Sequence, residues 1–253
     1  MFPAFYVMPQ GRSMKKYPAL SRVIMLTAAC LFCSQCSHAS YHRFWRGFIK
    51  PALTASGFAA AINRTFIPAT IANGAGRGLT AYQPFLTGGE YGLPDEVALV
   101  TYSGKTAYAA IGATASGKRY GAMHWDYFDR DRSSSVVARP FTGTAEFEKA
   151  YDLLPPYAGW MKNKTTVLVF PRGKTESEAA FLERVSRRMG FCQRHDPADG
   201  VFDRVIFVSA RYWIEYISAA EFVKGESAMS ILMLQPAAGT PVIHAGEGLN
   251  TWF

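Results

Sequence analysis

Cysteine is scarce in this sequence. Cys30, Cys33 and Cys36 fall within the first 40 residues and only Cys192 lies in the body. The body therefore has no partner for an internal disulfide and no paired-cysteine metal motif. Acidic residues are few, 19 against 27 Lys and Arg. After residue 40 nothing approaches the roughly 18 consecutive apolar residues of a membrane-spanning helix. Serine-hydrolase motifs and phosphate loops are missing as well, which removes the usual signatures of those enzymes. Asn73-Gly74-Ala75-Gly76-Arg77-Gly78 has the letters of a dinucleotide loop. It follows a helical pattern and precedes a strand pattern, the reverse of the order that aims a helix amino terminus at phosphates.

The amino terminus carries a signal of its own. Lys15, Lys16 and Arg22 precede the apolar run Val23 to Phe32, and Ser37-His38-Ala39 offers small residues where a signal peptidase reads. Residues 1–40 are thus read as a secretory signal peptide, with Met14 as an alternative start and export to the periplasm or medium as the expectation. A lipid anchor on Cys30 or Cys36 is disfavoured, because Thr27 stands where an aliphatic residue is needed before Cys30. Cleavage would lower the net charge from +8 to about +4, too mild a balance to indicate nucleic acid. With 49% hydrophobic residues the chain can bury a sizeable core.

A pattern then occurs twice. Phe44-Trp45-Arg46-Gly47 precedes Phe58, Ile62, Arg64 and Phe66, and Phe170-Pro171-Arg172-Gly173 precedes Phe181, Val185, Arg187 and Met189. In the first copy, residues 41–143, alternation predicts a strand from Tyr41 to Ile49, with Tyr41, Arg43 and Trp45 on one face and His42, Phe44 and Arg46 on the other. A helix capped by Thr54 or Ser56 follows, limited or kinked by Pro68. Strands at Leu79–Leu86, Glu96–Tyr102 and Ser134–Pro140 enclose helices at Thr106–Ala115 and, as a short helix or irregular turn, Gly117–Tyr127. A linker, residues 144–160, contains a short helix at Glu146–Tyr151. The second copy, residues 161–243, predicts a strand at Thr165–Phe170 and a helix at Glu176–Met189 capped by Thr175 and ended by Gly190. Strands at Val205–Ser209 and Tyr212–Ile217, a helix at Ala219–Lys224 and a strand at Ala228–Leu234 complete it. Residues 244–253 are an unassigned tail. Each copy reads βαββαβ, an α+β ferredoxin-like unit, and two such units can bury the helix-free faces of their sheets against each other.

On this element order the chain resembles the dimeric α+β barrel superfamily, which includes antibiotic-biosynthesis monooxygenases, dyp-type peroxidases and chlorite dismutases, in an internally duplicated form. The resemblance implies a barrel-like domain and leaves open a cofactor-independent or haem-dependent oxidoreductase. It transfers no catalytic residues.

The candidate site residues come from the sequence itself. Under the Phe-x-Arg-Gly alignment, Tyr41-His42-Arg43 stands where the second copy has Val167-Leu168-Val169, so the first copy is the expected site. His124-Trp125-Asp126-Tyr127 offers a histidine near a carboxylate, a pairing suited to general base or proton-shuttle work. His124, Asp126 and His42 are therefore the catalytic candidates, and Arg46, Arg43, Trp45, Trp125 and Tyr127 the substrate-binding candidates. The competing reading makes the Asp126 to Arg132 stretch a loop laced by ion pairs. No metal ligands are assigned, since Asp126, Asp129 and Asp131 lack the glycine and terminal glutamate of a calcium loop. The cofactor is left unknown. With 14% aromatic residues, the favoured function is an exported binding or accessory protein for a small apolar or aromatic molecule. Oxidoreductase activity is the second reading and a structural or interaction protein, dimerising through a sheet edge, the third. Homodimerisation is left open, as is barrel closure within one chain or between two.

Overall fold

The computed structural model describes residues 40–89, 92–221 and, by backbone alone, 232–233. Strand β1 (Tyr41–Gly47) leads into helices α1 (Ala55–Ala61) and α2 (Ile67–Gly74), which are joined by a π-helical turn at Ile62–Phe66. Strands β2 (Leu79–Leu86) and β3 (Glu96–Tyr102) follow, then helices α3 (Lys105–Ala113) and α4 (Ala115–Tyr127) and strand β4 (Ser134–Pro140). In the sheet these strands lie in the order β2-β3-β1-β4, all antiparallel. That is the ferredoxin-like order. The second unit repeats it with β6 (Lys164–Pro171), helix α5 (Glu178–His195), β7 (Val201–Val208), β8 (Tyr212–Ala219) and β9 (Leu232–Met233), ordered β7-β8-β6-β9.

Strand β5 (Lys149–Asp152) joins the two units. It runs parallel to β4 and antiparallel to β7, so that all nine strands form one sheet. The sheet curls until its inner faces meet. Phe44 of β1 stacks on Phe207 of β7 with ring centroids 4.8 Å apart, and the Tyr216 hydroxyl of β8 donates to the backbone oxygens of Gln83 and Val97. The two faces thus close on each other within one chain, and the architecture is that of an internally duplicated dimeric α+β barrel. The helices cover the outer faces. Phe58, Ile62 and Phe66 form the buried stripe over the first unit, and Phe181, Val185, Met189 and Cys192 the stripe over the second.

Several expectations need correction. The stretch read as a short helix at Glu146–Tyr151 supplies β5 instead, because pairing on both edges and burial of Ala150 and Tyr151 on opposite faces outweigh local helix propensity. Of the two readings of Pro68, the stop is the one removed, since the helical run continues through it to Gly74. The π-helical turn resets the hydrogen-bond pattern, and Pro68 enters the first turn of α2, where no amide donor is needed. The cap of α5 is Ser177, whose hydroxyl accepts from Ala180 N at 3.2 Å, not Thr175. The helix passes Gly190 because Cys192 extends its buried stripe one more turn. Gly117 lies inside α4, close to α3. A Cβ there would lie 2.0 Å from the Ile111 carbonyl oxygen, so only glycine lets these helices join so tightly. The repeated Phe-x-Arg-Gly does not occupy equivalent places. Phe44 faces the inner core, whereas Phe170 faces α5 and stacks on Trp213 at 4.6 Å. The helix expected at Ala219–Lys224 does not start there, since Ala219 ends β8 and Ala220 and Glu221 form a bend; the rest of that stretch, the strand Ala228–Leu234 apart from β9, the tail and the signal peptide lie outside the described residues.

Candidate functional site

Alternation along β1 sends its polar residues to two places. Arg43 and Trp45 point outward, under the helices of the first unit. There a cavity of about 510 Å³ opens between the sheet and α2, α3 and α4, lined largely by aromatic rings from Phe66, Tyr82, Tyr102, Tyr108, Tyr120 and Trp125. The Arg43 guanidinium lies 4.2 Å over the Tyr108 ring, and its Nε donates to Ser135 Oγ at 2.9 Å. His124, on α4, also lines the cavity. Its Nδ1 bonds the Tyr120 carbonyl at 3.0 Å, one helical turn back. Edge contacts from Trp45, Phe66 and Tyr120 enclose its ring, with centroids 5.2, 4.8 and 4.7 Å away. Burial lowers its pKa against the pull of those backbone bonds, so the imidazole is neutral at pH 7.

Beneath this cavity Glu96 is fully buried. Trp45 Nε1 donates to it at 3.1 Å and the Tyr82 hydroxyl at 3.0 Å. Burial raises its pKa to about 7, against the opposing effect of these two neutral donors.

The inner-facing residues of β1 meet different partners. His42 is 2% exposed and places Nε2 3.5 Å from Asp152 Oδ2 of β5 and 3.3 Å from Asp203 Oδ2 of β7. Its Nδ1 is 3.0 Å from Thr101 Oγ1. Ala138 of β4, packed against the inner core, pairs with Ala150, and a side chain this small between β1 and β5 leaves room for the imidazole to reach the carboxylates. Burial pushes the Asp203 carboxyl up to about 7, and burial together with Asp203 pushes Asp152 up to about 8. Arg46, at the other end of the inner face, pairs with Glu148, donates to Ser134 Oγ at 2.7 Å and lies 4.6 Å over the Phe207 ring.

The candidates therefore divide. Arg43, Trp45, His124 and Trp125 line one cavity. His42 belongs to the interior cluster and Arg46 to the inner face, so His42, His124, Asp126 and Arg46 do not share one cavity. Asp126 is exposed on α4. Tyr127 packs against Phe66 with ring centroids 6.0 Å apart, outside the cavity lining. In the acidic loop, Asp129 Oδ1 accepts from Asp131 N at 2.9 Å, a local turn. Cys192 is buried, and burial raises its thiol to about 12, leaving it inert.

Sequence reasoning missed Glu96, Asp152 and Asp203. Asp203 had a signal, since alternation through Asp203, Val205 and Phe207 puts all three on the inner face.

No protein-family model matches the chain, and no curated protein matches it. Among solved structures, a candidate monooxygenase from Lactobacillus acidophilus NCFM is 10% identical, with 72% of this chain and 78% of that chain covered and a TM-score of 0.38. A candidate monooxygenase from Fusobacterium nucleatum is 11% identical over 73% and 77%, at 0.39. A candidate chlorite dismutase is 8% identical over 81% and 97%, at 0.38. These are likenesses of fold.

Proposed function

We propose that this chain is an exported protein that binds a small aromatic molecule carrying an acidic group, in the first unit's outer cavity. The observation that carries the reading is the pairing of about 510 Å³ of ring-lined space with a single guanidinium, Arg43. This volume is in the range of small-molecule sites, and apolar walls with few fixed polar groups are their usual construction. Among the described residues, Ser135 is the one hydrogen-bonding partner of Arg43, through Nε, so its terminal nitrogens can meet a carboxylate or phenolate. Export rests on the apolar run and small residues of the first 40 positions.

Calorimetric titration with 2-naphthoate and with neutral 2-naphthalenemethanol tests this. Arg43→Met should weaken naphthoate about 10-fold, corresponding to roughly 1.4 kcal/mol, and leave the neutral analogue unchanged. Ala109→Trp, at the cavity wall, should block both. Absence of saturable binding, or binding indifferent to Ala109→Trp, rejects the cavity as the site.

Turnover in the same cavity is the second reading, favoured by His124, whose neutral imidazole borders the space where a ligand proton would lie. His124 would then take the hydroxyl proton of a bound phenol, whose electrons pass to dissolved dioxygen, and His124→Ala should abolish that dioxygen consumption while preserving binding of the phenol.

A further inference from the structure

The interior cluster is separate from the aromatic cavity and does not depend on it. We infer that His42, Asp152 and Asp203 form a site for one divalent first-row metal ion. Among the described residues, these three are the group of histidine, cysteine and acidic side chains whose donor atoms come within 4.8 Å of one another.

The geometry is that of ligands around a centre. With bonds of about 2.0–2.1 Å, a tetrahedral ion holds neighbouring donor atoms about 3.3–3.4 Å apart. His42 Nε2 lies 3.5 Å from Asp152 Oδ2 and 3.3 Å from Asp203 Oδ2. These gaps are long for hydrogen bonds, and His42 Nε2, Asp152 Oδ1 and Asp203 Oδ1 are all buried without a hydrogen-bond partner. His42 is 2% exposed and Asp203 0%, so each unpartnered atom carries the desolvation cost of an unsatisfied polar group. A divalent cation held by Nε2 and the two Oδ2 atoms gives the buried Nε2 its partner and cancels the charge of two carboxylates beside a neutral imidazole.

The surroundings suit this role. Thr101 Oγ1, 3.0 Å from Nδ1, can accept from Nδ1–H, and that tautomer turns the lone pair of Nε2 toward the carboxylates, as in a metal-bound histidine. Tyr157 N donates to Asp203 Oδ2 at 3.2 Å and fixes that carboxylate. The Trp160 ring stands edge-on to His42 with centroids 6.2 Å apart and walls the site. One nitrogen and two oxygens suit zinc, manganese, iron or cobalt, and three protein ligands leave a fourth position for water. The site draws on both units, with His42 from the first, Asp203 from the second and Asp152 from the strand between them.

The test uses the full chain, unfolded in urea with chelator, freed of both, and refolded with or without Zn²⁺ or Co²⁺. Refolding gives the ion access to a buried position. One equivalent of Zn²⁺ per chain is expected to be retained, with a raised melting temperature and, for Co²⁺, the visible absorption of a tetrahedral site. Asp203→Asn and Asp152→Asn should each weaken retention about 100-fold or more, beyond the 10–100-fold that loss of an outer-shell partner costs. Their far-UV circular dichroism checks that they fold. Thr101→Val, which leaves all three ligands in place, should weaken it about 10-fold. Wild-type protein that retains no stoichiometric metal overturns the inference, even if the variants fail to fold. Metal retained equally by both Asn variants overturns it too.

Discussion

The outer faces of the two units treat a buried glutamate in opposite ways. In the second unit Glu215 is fully buried, with Arg188 Nε 3.2 Å away and Arg204 in direct contact. Arg204 also grips Asp196 through two bonds of 2.7 and 2.8 Å. Burial alone would raise the pKa of Glu215, but Arg204 and Arg188 outweigh it and hold the pKa below its ordinary value. In the first unit Glu96 has only two neutral donors, and its pKa rises to about 7. The same contrast appears in packing. Phe170, Phe181 and Trp213 pack under α5 and leave a smaller opening of about 360 Å³ bordered by the charged Arg188, Arg204 and Asp196, whereas the first unit's cavity of about 510 Å³ is lined largely by rings. The difference lies in what borders the open space, paired charge in the second unit and rings above an uncompensated carboxyl in the first.

This comparison can be broken most directly at Arg204. Arg204→Met leaves Asp196 without its guanidinium and Glu215 with Arg188 alone, and should cost about 3–5 kcal/mol in urea denaturation. A loss under about 1 kcal/mol would mean that the network is not what stabilises the second face.

Next comes pH. Folded Glu96 keeps its proton up to about 7, while the unfolded chain releases it near the ordinary 4.5. The folded state therefore binds more protons in that window, and the wild type loses stability as pH rises through it. Glu96→Gln lacks this group, so its stability relative to wild type should rise by about 3 kcal/mol between pH 4.5 and 8. Parallel pH profiles would show that Glu96 titrates normally.

A smaller effect is expected at Tyr120→Phe. It removes the 2.7 Å bond to Thr70, whose hydroxyl still donates to the Phe66 carbonyl at 2.9 Å, so the cost should be about 1 kcal/mol by thermal denaturation. The smallest belongs to Glu183→Ala. The pair with Arg187 spans 3.6 Å and both side chains are mostly exposed, so its loss should stay below about 0.5 kcal/mol.

Much of the fold could be read from the sequence because strands such as Leu79–Leu86, Glu96–Tyr102 and Ser134–Pro140 are bounded by strong turn signals. Strand β5 could not, since four residues owe their state to neighbours from both units. His42 and Arg43 stood out because the aligned stretch of the second copy is Leu168-Val169, and Trp45, on the same face as Arg43, was equally visible. Their separation followed from alternation, yet grouping by nearness in sequence merged them into one site. Asp152 and Asp203 become His42's neighbours only when the sheet curls, a contact between distant strands that local patterns do not encode.

The continuity that β5 provides has an evolutionary consequence. Two identical single-unit subunits related by a twofold axis must present the same side chain at every equivalent place, so a cavity in one appears in both. Fusion into one chain removes that symmetry. Each unit is free to shape its own opening, ring-lined in the first and bordered by Arg188, Arg204 and Asp196 in the second. Docking of the halves also becomes intramolecular, so dilution does not separate them.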